Sequence, residues 1–176
     1  MGSQQYFKQQ LEIGKTGETA ISKFLISRGS SILPIYEIAE NQFKGPGLYH
    51  ENGDTVAPDM LCITNGKTVF IEAKHKAGAT FFRKTQQFQT GIDLRHWEEY
   101  QKIKEITNID VWILFLHRGE AVKDSEAFSG GLYGNNITKL LETIDHISDR
   151  HAKGMVYWNM GSLRKIATYE EVTSLS

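Results

Sequence analysis

The sequence predicts a three-layer α/β or α+β domain built on a mixed β-sheet. Three observations lead there. Residues 109–117, "IDVWILFLH", form a nearly continuous apolar run, the mark of a strand covered on both faces. Residues 57–76, "APDMLCITNGKTVFIEAKHK", place two apolar runs around an Asn-Gly pair, the strongest short hairpin signal. Helical patterns alternate with these strands, so helices must cover the sheet.

Taken in order, "IGKTGETAISKFLISRG" (13–29) reads as a helix stopped by Gly29, and "SILPIYEIA" (31–39) as a strand. Residues 41–57 are turn-rich and read as a loop before the hairpin over 58–74. Residues 77–91 carry no decisive period. "IDLRHWEEYQKIKEI" (92–106) reads as a helix with Asp93 as N-cap and His96, Tyr100 and Ile103 on one face. The buried strand follows, and then a Gly-rich, polar stretch over 118–135 that reads as a surface loop. "NITKLLETIDHISDRH" (136–151) has an apolar stripe of Ile137, Leu140, Leu141, Ile144 and Ile147 and reads as an amphipathic helix. Strands over 155–160 and 163–168 and a terminal helical turn complete the order α-β-β-β-α-β-α-β, with no place to divide residues 1–176 into two domains.

The chain has 176 residues, enough for one domain with a sizeable core. Its single cysteine, Cys62, excludes a disulfide framework within a monomer and any Cys-based zinc cluster, and reads as a small buried hydrophobe. Trp97 and Trp112 sit in apolar patterns and read as core. No apolar run approaches the ~20 residues of a membrane span, and the polar start shows no signal peptide, so a cytoplasmic protein without membrane partners is expected. Net charge is −1, yet Lys74, Lys76, Arg83, Lys84, Arg95, Lys102 and Lys104 fall in one region. Such a patch attracts phosphate without a basic average, although a solvated surface is the commoner explanation.

The hairpin carries the chemistry. With a two-residue type I′ loop at Asn65-Gly66, Thr64 faces Lys67, and counting outward Asp59 faces Glu72. Directly opposed Cβ atoms lie roughly 5 Å apart, where like charges are destabilising. Alternation puts Phe70, Glu72 and Lys74 on one side of the second strand. Two carboxylates there need neutralising, by a shared proton or by a hard divalent cation such as Mg²⁺. A lysine beside such a site offsets charge building on a phosphoryl group. On the first helix Glu18 shares the face of Ile21 and Leu25, which turns a third carboxylate inward unless it serves the helix start instead.

Pro58-Asp59 followed by Glu72-Ala73-Lys74 resembles the signature of the PD-(D/E)XK nuclease superfamily, and Gly17-Glu18-Thr19-Ala20 resembles the first motif of its archaeal-type Holliday junction resolvase branch. The resemblance covers about residues 13–117 and implies a restriction-endonuclease-like fold and phosphodiester hydrolysis in DNA. It implies that Asp59, Glu72, Glu18 and the carbonyl of Ala73 hold Mg²⁺, with Mn²⁺ as a substitute, and that Lys74 activates or orients water. Some branches place Gln or Tyr on the next helix, where Tyr100 and Gln101 stand. His75, Lys76, Arg83, Lys84 and Arg95 are candidate phosphate contacts.

Phe81, Phe82 and Phe88 would stack on unpaired bases or, more simply, pack in a core or lid. Tyr49 and His50 lie in the loop before the site. A junction-cutting enzyme would need a homodimer, and an exonuclease or end-processing enzyme a strand-holding channel. A non-catalytic DNA-binding module on the same fold and a purely structural pairing of the carboxylates with lysines are the competing readings. The former is disfavoured by the presence of all three motif residues.

Overall fold

A computed structural model describes residues 3–35, 47–51, 53–123, 126–149 and 154–175 of the protein, with side chains from residue 14 onward. The first helix, α1 (Ser3–Ser27), starts well before the predicted 13, and Gly29 stops it at φ +87°. β1 (Ser31–Pro34) follows. The rest of the predicted 31–39 strand and the first residues of the 41–57 segment lie mostly outside the described residues. Within that predicted loop, β2 (Gly47–Leu48) and β3 (Thr55–Val56) form a two-stranded ladder.

The hairpin is β4 (Met60–Thr64) and β5 (Lys67–Lys76), with Thr64 opposite Lys67 and Met60 opposite Ile71. Asn65 and Gly66 both have positive φ, 51° and 74°, as a type I′ turn requires. The predicted register therefore holds.

The ambiguous 77–91 segment is a second hairpin, β6 (Thr80–Phe82) and β7 (Gln87–Asp93). It leads straight into α2 (Leu94–Thr107). Asp93 occupies the N-cap position but makes no capping hydrogen bond through its side chain. The buried strand β8 (Val111–His117) runs parallel to β5 and pairs Glu72 with Ile113.

Two readings are corrected further along. The Gly-rich 118–135 stretch is not a loop: it holds β9 (Ala121–Lys123), β10 (Glu126–Phe128) and β11 (Gly131–Asn136), the last of them an interior strand between β8 and the C-terminal strand. Its glycines are there for close backbone approach, since a Cβ on Gly134 would collide with the Ile113 carbonyl oxygen. The predicted helix over 136–151 is only α3 (Ile137–Glu142), after which β12 (His146–Ser148) pairs with β13 (Met155–Asn159). The Trp158 indole donates to the Leu140 carbonyl at 2.8 Å, and Ile147 is 56% exposed rather than on a buried stripe. Pairing with β13 has replaced the last helical turns. β14 (Arg164–Ala167) and α4 (Tyr169–Thr173), with a capping box at Thr168, end the chain as predicted.

The main sheet runs β1-β4-β5-β8-β11-β14, and only β5 and β8 are parallel neighbours. On one face α1 and α4 bury Ala20, Ile21, Phe24 and Val172 against Ile71, Ala73, Leu114 and Leu132. On the other, α2, α3 and a four-stranded sheet, β12-β13-β7-β6, bury Trp97, Tyr100, Ile103, Leu140 and Trp158 against Phe70, Ile113 and Phe115. Cys62 is buried as expected, Trp97 is core and Trp112 is partly buried.

Candidate active site

The alternation of β5 decides what meets what. Its odd residues, Ile71 and Ala73, face α1, and its even residues continue from the buried Phe70 to Glu72 and Lys74 on the α2 side. Glu72 is 2% exposed, a carboxylate inside the protein. Two neighbours compensate it. The Lys74 ammonium forms an ion pair with Glu72 Oε1, and the hydroxyl of the buried Tyr100 donates to the same side chain.

Asp59 closes the hairpin from the other strand. Its Oδ2 accepts from the Ala73 N–H at 2.8 Å, and its backbone carbonyl accepts from Ile35 at 2.9 Å. The backbone leading to it is tied down by α2. Glu99 accepts from the Thr55 hydroxyl and from the Val56 N–H at 3.2 Å, two residues before Pro58. Burial works against the Glu99 charge, but these two bonds prevail and hold its pKa below the usual value.

Glu18 belongs to the same electrostatic unit. Its pKa is raised, first by burial and then by the charge of Glu72, with Lys74 and Lys15 opposing. Asp59 is pushed up to about 8 by burial and Glu72, against the pull of Lys74 and the Ala73 N–H. Burial opposes the charge of Lys74, yet Glu72, Asp59 and Glu18 outweigh it and raise its pKa. Tyr100 is shifted upward by burial and by Glu72, so it stays a hydrogen-bond donor. Three carboxylates thus share essentially one ammonium, and with all three ionised the hairpin would hold more negative charge than Lys74 neutralises, which is why Asp59 and Glu18 tend to keep their protons.

That deficit fits a hard divalent cation, whose preferred ligands are carboxylate oxygens. Among the described residues, no three His, Cys, Asp or Glu side chains are already gathered as a metal cluster. Asp59 and Glu72 share the hairpin face, while Glu18 is linked to them through its charge. Ala73 pairs with Leu114 in the parallel ladder.

The remaining candidates separate. Lys76 continues the Glu72–Lys74 face; its pKa is lowered by burial and Lys74, with Asp93 opposing. His75 points to the other side, where a Cβ on Gly17 would lie 2.5 Å from its own Cβ and where its ring stacks on Tyr169. Gly17 is therefore the crossing point of α1 over β5, next to Glu18. Arg83 and Lys84 are exposed on the β6–β7 turn and Arg95 on the first turn of α2, whereas Gln101 is half-buried. Tyr100, 2% exposed, lies beneath the carboxylates. Tyr49 is 63% exposed. Phe88 is core and Phe81 packs edge-on to it, but Phe82 lies outside that core and stacks on His146.

His96 was not singled out from the sequence. It is half-buried one turn before Tyr100, within reach of the charges of Lys74 and Glu72, and its pKa is lowered, chiefly by burial. The i, i+4 spacing to Tyr100 was its only signal.

No protein-family model matches the chain, and no curated protein matches it either. Among solved structures it is similar to Hjc of Archaeoglobus fulgidus, a Holliday junction resolvase from an archaeal hyperthermophile. The TM-score is 0.50 at 8% identity, over 85% of this chain and 90% of that one. A nuclease from a fusellovirus aligns at TM-score 0.42 and 12% identity, over 99% of this chain and 93% of the other. The fold is a restriction-endonuclease-like one, a central mixed sheet flanked by helices, similar to that of the archaeal protein. No helix among the described residues is long and apolar enough to cross a membrane.

Proposed function

We propose that the protein is a divalent-metal-dependent deoxyribonuclease that hydrolyses phosphodiester bonds. The observation that carries this is the charge imbalance on one hairpin face. Asp59, pushed up to about 8, and the buried Glu72 lie beside Lys74, with Glu18 coupled to both. Glu72 alone is matched by Lys74 and Tyr100, so ionising Asp59 and Glu18 as well would leave more negative charge than one ammonium offsets, a cost that a purely structural site has no reason to carry.

In this reading Asp59 and Glu72 hold Mg²⁺ or Mn²⁺, with Glu18 and the Ala73 carbonyl completing the protein ligands. The ion would supply Lewis-acid polarisation of the phosphate and a more acidic bound water. The chain's own groups do the rest. The Ala73 N–H fixes Asp59, Tyr100 and Lys74 orient Glu72, and the Lys74 ammonium would meet an attacking water or the charge growing on phosphorus. Lys76, Arg83, Lys84 and Arg95 would contact phosphates, which position DNA without reading its sequence. The resolvase-like fold supports a structure-selective enzyme acting in repair, recombination or phage DNA processing, as a homodimer where two strands are cut.

The test mixes purified protein with linear, single-stranded, flapped and four-way DNA in Mg²⁺, Mn²⁺ or chelator. Cleavage should need the metal and fall by about 10²–10³-fold or more in Asp59→Asn and in Lys74→Ala. Symmetric cuts in the four-way substrate would select the resolvase reading, and cleavage from ends alone an exonuclease. Binding without cleavage in every condition would sink the proposal in favour of a non-catalytic DNA-binding module.

A further inference from the structure

We propose that the outer face of the four-stranded sheet binds an unpaired DNA strand, with Phe82 as the stacking surface for a base, so that the substrate carries a single-stranded segment beside the scissile bond. This rests on the nuclease reading above for its connection to cleavage, but the surface stands on its own geometry.

In β7 Phe88, Thr90 and Ile92 point to one side, and on the other side Gln87 is exposed and Asp93 partly exposed, while Gln89 and Gly91 are buried. Tyr157 of β13 pairs with Gly91 and lies across it: a Cβ on Gly91 would come within 2.8 Å of the Tyr157 ring. The His146 ring stacks on Tyr157 at 4.9 Å and 17° between planes, and Phe82 stacks on His146 at 4.6 Å and again 17°. The three rings make a near-parallel column, and each is partly exposed. Two core pairs meet edge-on, Phe81 with Phe88 at 69° and Trp97 with Trp158 at 65°, while the fully buried Phe115 and His117 stack at 27°. This column differs in lying outside the core and ending at the partly exposed Phe82, whose ring offers a π-face to one more planar group.

The surroundings select the occupant. Arg83 and Lys84 follow Phe82 directly and are exposed. Polar groups border the column: His146 is paired with Asp145 at 2.7 Å, and Asn159 donates to Gln87. A nucleotide needs this combination of a ring for the base and cations for the phosphate. The face also leads to the hairpin. Asp93 lies two residues beyond Gly91 on the same side, about 7 Å along the strand, and its charge reaches Lys76, His96 and Tyr100.

The test uses the full chain in chelator, so that binding is read without cleavage. A single-stranded oligonucleotide carrying one 2-aminopurine reports stacking by quenching, and titration gives affinity. Wild type should quench the probe, and Phe82→Ala should lose the quench and weaken strand binding about 10-fold. Phe82→Trp should keep both. Replacing Arg83 and Lys84 together by Ala should lower the slope of log affinity against log salt by about 1.4. Phe82→Leu, apolar but ringless, arbitrates if the Ala variant melts early in circular dichroism. Unchanged quench and affinity in a folded Phe82→Ala or Phe82→Leu overturns the proposal, as does binding of duplex alone by wild type. A protein that cuts DNA without dependence on Phe82 defeats this surface only. One that quenches but never cuts leaves the surface standing and defeats the nuclease reading.

Discussion

The two larger sheets among the described residues are organised around opposite energetics. The six-stranded sheet buries charge: Glu72 is 2% exposed on its interior strand β5, with Asp59 pushed up to about 8 beside it. The four-stranded sheet buries no charge on its described residues: Phe88, Ile92, Val156 and Trp158 turn to the shared core, and its buried polar residues, Gln89 and Thr90, are neutral. A site that must bind a cation is left destabilised until the cation arrives, and the surrounding core has to offset that cost. Substitutions in the two sheets should therefore act in opposite senses, which gives four measurements that break or sharpen the contrast.

The largest effect belongs to the packing sheet. Trp158 is fully buried and also donates to Leu140. Trp158→Ala should cost about 3–5 kcal/mol in denaturant unfolding. A loss under about 1 kcal/mol would mean that the second sheet is an ornament on an independently stable core.

Next comes a group at the seam. His117 on β8 is 0% exposed among Phe115, Phe128 and Tyr133. The Gly78 backbone approaches the ring, but no hydrogen bond of normal geometry forms at either nitrogen among the described residues. Burial lowers its pKa from 6.5 to about 4, and the charges of Lys76 and His75 act in the same direction. Between those values the unfolded chain binds more protons, so stability falls as pH drops from 6.5 through 4, by roughly 3 kcal/mol at the limit. Comparing urea melts of wild type and His117→Phe across that window isolates the effect. Parallel slopes would show that His117 is charged, or solvated, in the folded protein.

Tyr100 joins the two regions, because α2 begins where β7 ends and its Tyr100 hydroxyl donates to Glu72. Groups that orient metal-binding carboxylates typically matter 10–100-fold. Tyr100→Phe should raise the Mg²⁺ concentration for half-maximal cleavage by about 10-fold, with the thermal midpoint nearly unchanged. A changed midpoint with unchanged Mg²⁺ dependence would reduce Tyr100 to a packing residue.

The same contrast explains what the sequence made legible. The charged hairpin is local: Asn65-Gly66 fixes its turn, and the turn fixes which residues share a face, so Asp59, Glu72 and Lys74 follow by counting. The packing sheet is not local. β7 and β13 pair Gly91 with Tyr157 across seven intervening elements, and neither has a period that names its partner. His146–Ser148 fits a helical stripe as written, and only β13 turns it into a strand. Gly134 reads as a loop residue until Ile113 is seen beside it. Tyr100 and His96 were visible as one helix face, but not what that face would meet.

The smallest effect is the sharpest test of the charge argument. Raising the Asp59 pKa from 3.8 to about 8 means that the folded protein binds more protons than the unfolded chain between those values. Metal-free stability should therefore fall as pH rises from 4 to 8, and the raised Glu18 contributes in the same sense. Asp59→Asn removes the ionisation while keeping the shape. It should match wild type near pH 4 and exceed it at pH 8, by roughly 0.5–2 kcal/mol, the size of common stabilising substitutions. Mg²⁺ should close the gap by stabilising wild type alone, since a ligand of the folded state at 100 times its Kd adds about 2.7 kcal/mol. A difference between the two proteins that ignores both pH and Mg²⁺ would show Asp59 ionised throughout. The hairpin would then tolerate its carboxylates through Lys74 and the Ala73 N–H alone, and the need for a cation would disappear.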